Sequence, residues 1–145
     1  MTDSDDGADP HRRPACVEDA TVEATGRISE ALEYVHRARG AFYEAHQLIG
    51  RADLLFGESA DLLREAGHIG LAEFFDADVV GRNVLPGRWT FQVMEEFDET
   101  YYSAVTAAET RVREELMAGR RHVYEAELKE KRRTHGRRGH ESRPD

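Results

Sequence analysis

The stretch ATGRISEALEYVHRARGAFYEAHQLIGRA, residues 24–52, decides the reading of the fold. Alanine returns every seventh residue, at Ala24, Ala31, Ala38, Ala45 and Ala52. Ile28, Val35, Phe42 and Ile49 recur at the same interval between them. Large apolar residues at a and alanine at d form a heptad on a helix. Methyl-sized side chains let a second helix approach toward the short end of the ~8–10 Å range of helix spacings. The alanine strip is therefore expected to be the seam where this helix meets its neighbour. Leu32, Tyr34, Ala41 and Leu48 widen the stripe at its flanks, and Arg27, Ser29, Glu30, Glu33, Arg37, Glu44, Gln47 and Arg51 fall mostly on the opposite side.

Working outward, the heptad starts at Val17 and runs on past Gly50 through Leu55, Phe56, Leu62, Leu63 and Ala66. This predicts a helix over 17–49, reaching 66 where nothing interrupts it. Gly50 and Gly57 each cost ~1 kcal/mol against alanine in a helix interior, and Ser59 has the chemistry to cap a fresh start. A break in 50–59 is the expectation. Gly67 suits the position just past a helix end. A short helix is expected over 71–80, closed by Gly81, and Pro86-Gly87 marks a turn in the connection 82–88. A second long helix is predicted over 89–133. Its apolar positions, Met94, Phe97, Tyr101, Val105, Ala108, Val112, Leu116, Gly119 and Val123, repeat every eleven residues and imply a nearly straight rod. Glu109→Arg113, Glu125→Lys129 and Glu127→Lys131 are spaced as i,i+4 pairs in the favourable order.

No strand signal is present. The fold expected is all-α: an antiparallel helical bundle on two long helices, 17–49 (or to 66) and 89–133, with one or two short helices between. The bundle is placed at 14–133, behind a disordered acidic lead at 1–13 and ahead of a disordered basic tail at 134–145. The 145 residues carry a formal charge of −9 and are 39% hydrophobic and 34% charged. The acidic balance argues against general affinity for nucleic acid or anionic membrane. Cys16 is the sole cysteine, no run approaches a membrane span, and the N-terminus has no apolar signal region, so a cytoplasmic setting is expected.

The segments GRNVLPGRWTFQ (81–92) and RRHVYEAELKEKRRTHG (120–136) resemble a group of short actinobacterial helical proteins that carry no assigned activity. The resemblance spans about a third of the chain and implies a bacterial cytoplasmic setting, without adding chemistry.

Five places hold residues with chemical potential. Glu33 and His36 have the Glu-x-x-His spacing of carboxylate-bridged di-iron bundles. Their heptad positions point them outward. His46 flanks the core strip with Asp53 one heptad later, and Glu95, Glu96 and Asp98 of the second helix are the carboxylates it is expected to meet. These make His46, Asp53, Glu95 and Glu96 the metal-site candidates, against a packing role for the histidine. Arg82, Asn83, Arg88 and Trp89 stand at the predicted mouth of the second long helix, suited to an anion or a partner, against the reading of Trp89 as a plug closing the bundle end. Tyr101 and Tyr102 join Phe97 in an aromatic patch of which one tyrosine must face outward. The basic run 131–138 is suited to phosphates or to clasping an acidic N-terminus. Phosphate-loop, dinucleotide, zinc-protease and paired-cysteine motifs are absent, and Trp89 is followed by Thr90-Phe91, unlike the WXG hairpins.

The leading expectation is a non-enzymatic helical-bundle protein acting through protein–protein contact and self-associating, with no catalytic residue and no cofactor predicted. The alternative is a ferritin-like metal-binding bundle, for oxidation or storage, using His46 and nearby carboxylates. The third is a regulator whose basic tail touches nucleic acid.

Overall fold

A computed structural model describes residues 9–143. Among them the chain is helical, without strands. It comprises α1 (Asp19–Glu65), α2 (Ile69–Asp78), α3 (Thr90–Phe97), a π-helical turn (Asp98–Tyr102), α4 (Ser103–Met117) and α5 (Val123–Arg132). Two compact units divide it: 1–34 with 104–145, and 35–103.

The expected break in 50–59 is absent. α1 runs unbroken through Gly50 and Gly57. Their entropic cost is small beside the i,i+4 ladder that continues across them, and Ser59 donates to the Leu55 carbonyl at 2.7 Å instead of capping a new helix. α1 stops where Gly67 takes φ +87°. The His68 amide bonds the Leu63 carbonyl at 2.8 Å and the Gly67 amide bonds that of Arg64 at 3.1 Å, a Schellman end.

The predicted second long helix, 89–133, is corrected in two ways. A π turn interrupts it at Asp98–Tyr102, and it breaks at 118–122, where Ala118, Gly119 and His122 all have positive φ. Gly119, read in sequence as part of the apolar stripe, is the residue that leaves the helix. Its amide reaches back to the Arg113 carbonyl at 3.0 Å, and its own carbonyl accepts from the Arg113 guanidinium at 2.8 Å. The chain re-enters a helix at Val123.

In the unit 1–34/104–145, Val22, Met117 and Val123 form a small core with Val17 packed against it. Thr25 is buried, and its hydroxyl is satisfied by the Thr21 and Val22 carbonyls at 3.0 Å each. Gly26 lies so close to Tyr124 that a Cβ there would fall 2.9 Å from the tyrosine Cβ. Glu109 accepts from Ser29 (3.1 Å) and Arg113 (3.2 Å). Glu127 turns to Arg13, which grips both its oxygens at 2.8 and 2.9 Å, rather than to Lys131 as the spacing suggested. Residues 11–13, expected within the disordered lead, bond the 120–127 segment through His11 to the Arg121 carbonyl and Arg120 to the Arg12 carbonyl, both 2.6 Å. The expected lead at 1–8 lies outside the described residues.

In the unit 35–103, Ala60, Ala72 and Met94 are the buried apolar residues. Asp53 accepts the Gly81 amide at 2.8 Å, and Arg64 pairs with Asp76. The Pro86-Gly87 turn closes with the Arg88 amide on the Leu85 carbonyl at 3.0 Å. Proline presets one φ and Gly87 takes the positive one, +71°. The Trp89 amide is capped by the Gln92 side chain at 2.9 Å, starting α3.

Candidate functional site

Within 35–65, α1 turns one face toward the rest of its unit and another outward. The alanine strip is not the seam. Ala24, Ala31, Ala38 and Ala45 are exposed and only Ala52 is half-buried. The side turned toward the rest of its unit carries Val35, Arg39, His46, Asp53 and Ala60 instead. Large apolar residues occupy so much of the helix circumference that its hydrophobic periodicity fits more than one inward face.

The inward face meets the π turn in one polar and aromatic cluster. Arg39 grips Asp98 with two hydrogen bonds, 2.7 and 3.0 Å, and its guanidinium lies 4.9 Å from both the Tyr43 and the Tyr102 ring centres. The Tyr43 hydroxyl reaches Asp98 at 3.4 Å, and the Tyr102 hydroxyl lies 2.8 Å from His36 Nδ1. Phe97 stacks beside them, 4.6 Å from Phe42. The hydrogen-bonded Arg39 guanidinium holds the Asp98 carboxyl below its ordinary value. A π turn widens the helix by one residue and rotates the side chains that follow, which here delivers Asp98 and Tyr102 to the same neighbour. Tyr101 remains 54% exposed while Tyr102 is half-buried, the split expected of adjacent tyrosines. Glu33 is exposed, and His36, expected to face water, is partly exposed yet bonded to Tyr102.

His46 does not meet a carboxylate. Its Nδ1 lies 2.6 Å from the Thr90 hydroxyl, at the rim of an apolar cavity of about 210 Å³ lined by Phe42, Ile49, Val84, Leu85 and Met94. Asp53 is committed to the Gly81 amide, Glu96 to Arg88 at 2.9 Å, and Glu95 is exposed. The metal candidates are thus not brought together, and no group of three or more His, Cys, Asp or Glu is placed to hold a metal among the described residues. Of the anion and partner candidates, Arg82 donates to the Asp78 carbonyl at 3.2 Å and Arg88 is paired with Glu96. Asn83 is exposed. Trp89 is 58% exposed, packed edge-on against Phe91 at 5.3 Å, so it does not plug the bundle end. In the tail, Arg143 pairs with Asp9 at 2.9 Å.

No family model, curated protein or solved structure matches this chain.

The alanine strip lies on the outward face. In 35–65, Ala38, Ala41, Ala45, Leu48, Ala52, Leu55 and Leu62 follow a three-four repeat of their own. All but half-buried Ala52 are exposed, Leu48 to 62%. The residues preceding Ala38, Ala45, Ala52 and Ser59, at seven-residue intervals, are Arg37, Glu44, Arg51 and Glu58, all exposed and alternating in sign. No helix of the described residues is long and apolar enough to cross a membrane.

Proposed function

We propose that this chain is a non-enzymatic helical-bundle protein that works through protein–protein contact and associates with itself. The observation that carries the reading is α1 between Val35 and Ser59, which contains no fully buried residue although it bears apolar side chains on two faces. A monomer rarely leaves a contiguous apolar strip of this length in water, and such strips mark interaction surfaces. The bundle is read as antiparallel. In the unit 35–103, His46 meets Thr90, Phe42 meets Phe97, and His36 meets Tyr102, so one helix descends as the other rises. The alternative metal-binding reading has no observation in its favour, since His46 bonds a hydroxyl and Asp53 and Glu96 are occupied elsewhere.

Sedimentation velocity or light scattering on the purified chain, at concentrations on the order of tens of micromolar, tests the proposal. A mass above the 16.4 kDa monomer is expected. A strict monomer under those conditions overturns it.

A further inference from the structure

The self-association proposed above leaves open which surface is used and how two copies face each other. Resting on that reading, we infer that the outward face of α1 pairs with the same face of a second copy, antiparallel, in the register that sets Ala45 opposite Leu48.

Three features of this face select that occupant and that register. The first is size. In a parallel, in-register pair, alanine layers would stack on alanine and leucine layers on leucine, demanding two helix spacings at once. The antiparallel pair sets Ala38 against Leu55, Ala45 against Leu48 and Ala41 against Ala52, and the two-fold axis repeats each contact. Each of these layers contains at least one alanine, so the helices can approach closely over 38–55, with Tyr34 falling opposite Ser59 just beyond. Farther along the same helix, Ala31 falls opposite Leu62.

The second is charge. With Ala45 opposite Leu48, Glu44 of one copy lies near Arg51 of the other, and Arg37 near Glu58. Both pairs are of opposite sign, and each occurs twice. Sliding one helix by a full heptad, so that Glu44 meets Glu44, also brings Arg37 against Arg51, and every flank contact becomes like-charged. The alternation therefore disfavours the centred alternative while favouring the offset one. The one like-charged pair in the chosen register, Glu30 with Glu65, falls at the last residue of α1.

The third is the other flank. Val35, Phe42, Ile49, Phe56 and Leu63 border the strip on the side turned toward the rest of the unit: Phe42 is packed against Phe97, and Phe56 lies 6.0 Å from Phe75. A parallel pair would set the charged flank of one copy against this apolar flank of the other. The antiparallel pair keeps the charged flanks together.

Charge inversion tests the register. Glu44→Arg alone places arginine against Arg51 of the partner twice, and is expected to weaken dimerisation at least tenfold. Glu44→Arg combined with Arg51→Glu restores the pairing and the affinity. In the alternative offset register, where Glu44 faces Arg37 and Arg51 faces Glu30, the double variant is weaker than either single one. Spin labels at Gln47→Cys and Asp61→Cys, each in a Cys16→Ser background, test the orientation. Both sites lie on one face of the helix. The 47–47 distance is expected to be short; the 61–61 pair is offset along the helix axis by about 40 Å more, from 1.5 Å of rise per residue, and so is expected to give much the longer distance. Equal distances, or a dimer indifferent to both charge variants, overturn this inference while leaving self-association standing. A monomeric wild-type chain overturns the functional proposal itself.

Discussion

One helix behaves differently in the two units it enters. In the unit 1–34/104–145, α1 buries Val22 and Thr25 and runs so close to α5 that Gly26 has no room for a methyl group. Between Val35 and Ser59, the same helix buries nothing completely. The apolar content of the two stretches is not what separates them. The first has Val17, Met117 and Val123 to close over its face, whereas the second spreads apolar residues around more of its circumference than α2 and α3 cover. Amphipathic pattern supplies a helix with surface to bury, and the elements that return to it determine how much is buried within the chain.

The contrast is broken most directly by truncating one apolar side chain in each stretch. Met117→Ala removes the largest side chain of the small core and is expected to lower stability by about 2–5 kcal/mol. Leu48→Ala, on the outward face, is expected to change monomer stability by less than about 0.5 kcal/mol. Urea denaturation below the association concentration reads both. A Leu48→Ala loss as large as that of Met117→Ala would mean that the outward face is covered within the chain.

These positions also show what could be read in advance. The all-helical class, the start of α1 near Asp19, a helix stop at Gly67 and the turn at Pro86-Gly87 were legible, because each rests on local chemistry: periodicity, a left-handed glycine, a preset proline φ; that α1 runs unbroken to that stop was not. The inward face of α1 was not. With apolar residues at two overlapping heptad phases, the sequence supports either face, and only the residues that return from elsewhere decide. The break at 118–122 was hidden for a related reason. Gly119 sits at a spacing that fits the stripe, and its departure brings its carbonyl to accept a hydrogen bond from the distant Arg113 guanidinium. The Arg39–Asp98 pair joins residues 59 apart through a π turn that shifts the register by one residue, which no periodic template anticipates. Of the candidate site, His46 was placed correctly at the rim of an apolar cluster, but its partner was a hydroxyl and not a carboxylate.

Glycine substitution sharpens the comparison at a smaller scale. Gly26→Ala gains helix propensity but drives a Cβ into Tyr124, whose own Cβ cannot swing aside. A net loss of about 1–3 kcal/mol is expected. Gly50→Ala meets nothing within 4 Å, so it keeps only the propensity gain of about 1 kcal/mol. The two variants should shift the urea midpoint in opposite directions. A stabilising Gly26→Ala would show that α1 and α5 are not held at the close approach seen here.

The smallest effect concerns how the inward face of the second stretch is held despite its incomplete burial. Arg39 and Asp98 supply a bidentate pair there, and the carboxyl of Asp98 is held below its ordinary value by that hydrogen-bonded guanidinium. A carboxyl whose folded pKa lies below its unfolded one stabilises the fold above the unfolded pKa, and that contribution disappears as pH falls through the folded one. Asp98→Asn retains an acceptor for Arg39 but does not titrate. It should therefore be less stable than the wild type at pH 7, and the gap should narrow between about pH 5 and pH 3. Carboxylates common to both chains, such as Glu130 and Asp9, cancel in the difference. The pair is partly solvated, so the gap itself is small, and its pH dependence rather than its size is the diagnostic. A difference between the two proteins that stays constant from pH 7 to pH 3 would mean that the Arg39 contact does not discriminate the ionised carboxyl, and that Phe42 and Phe97 alone anchor α1 to the π turn.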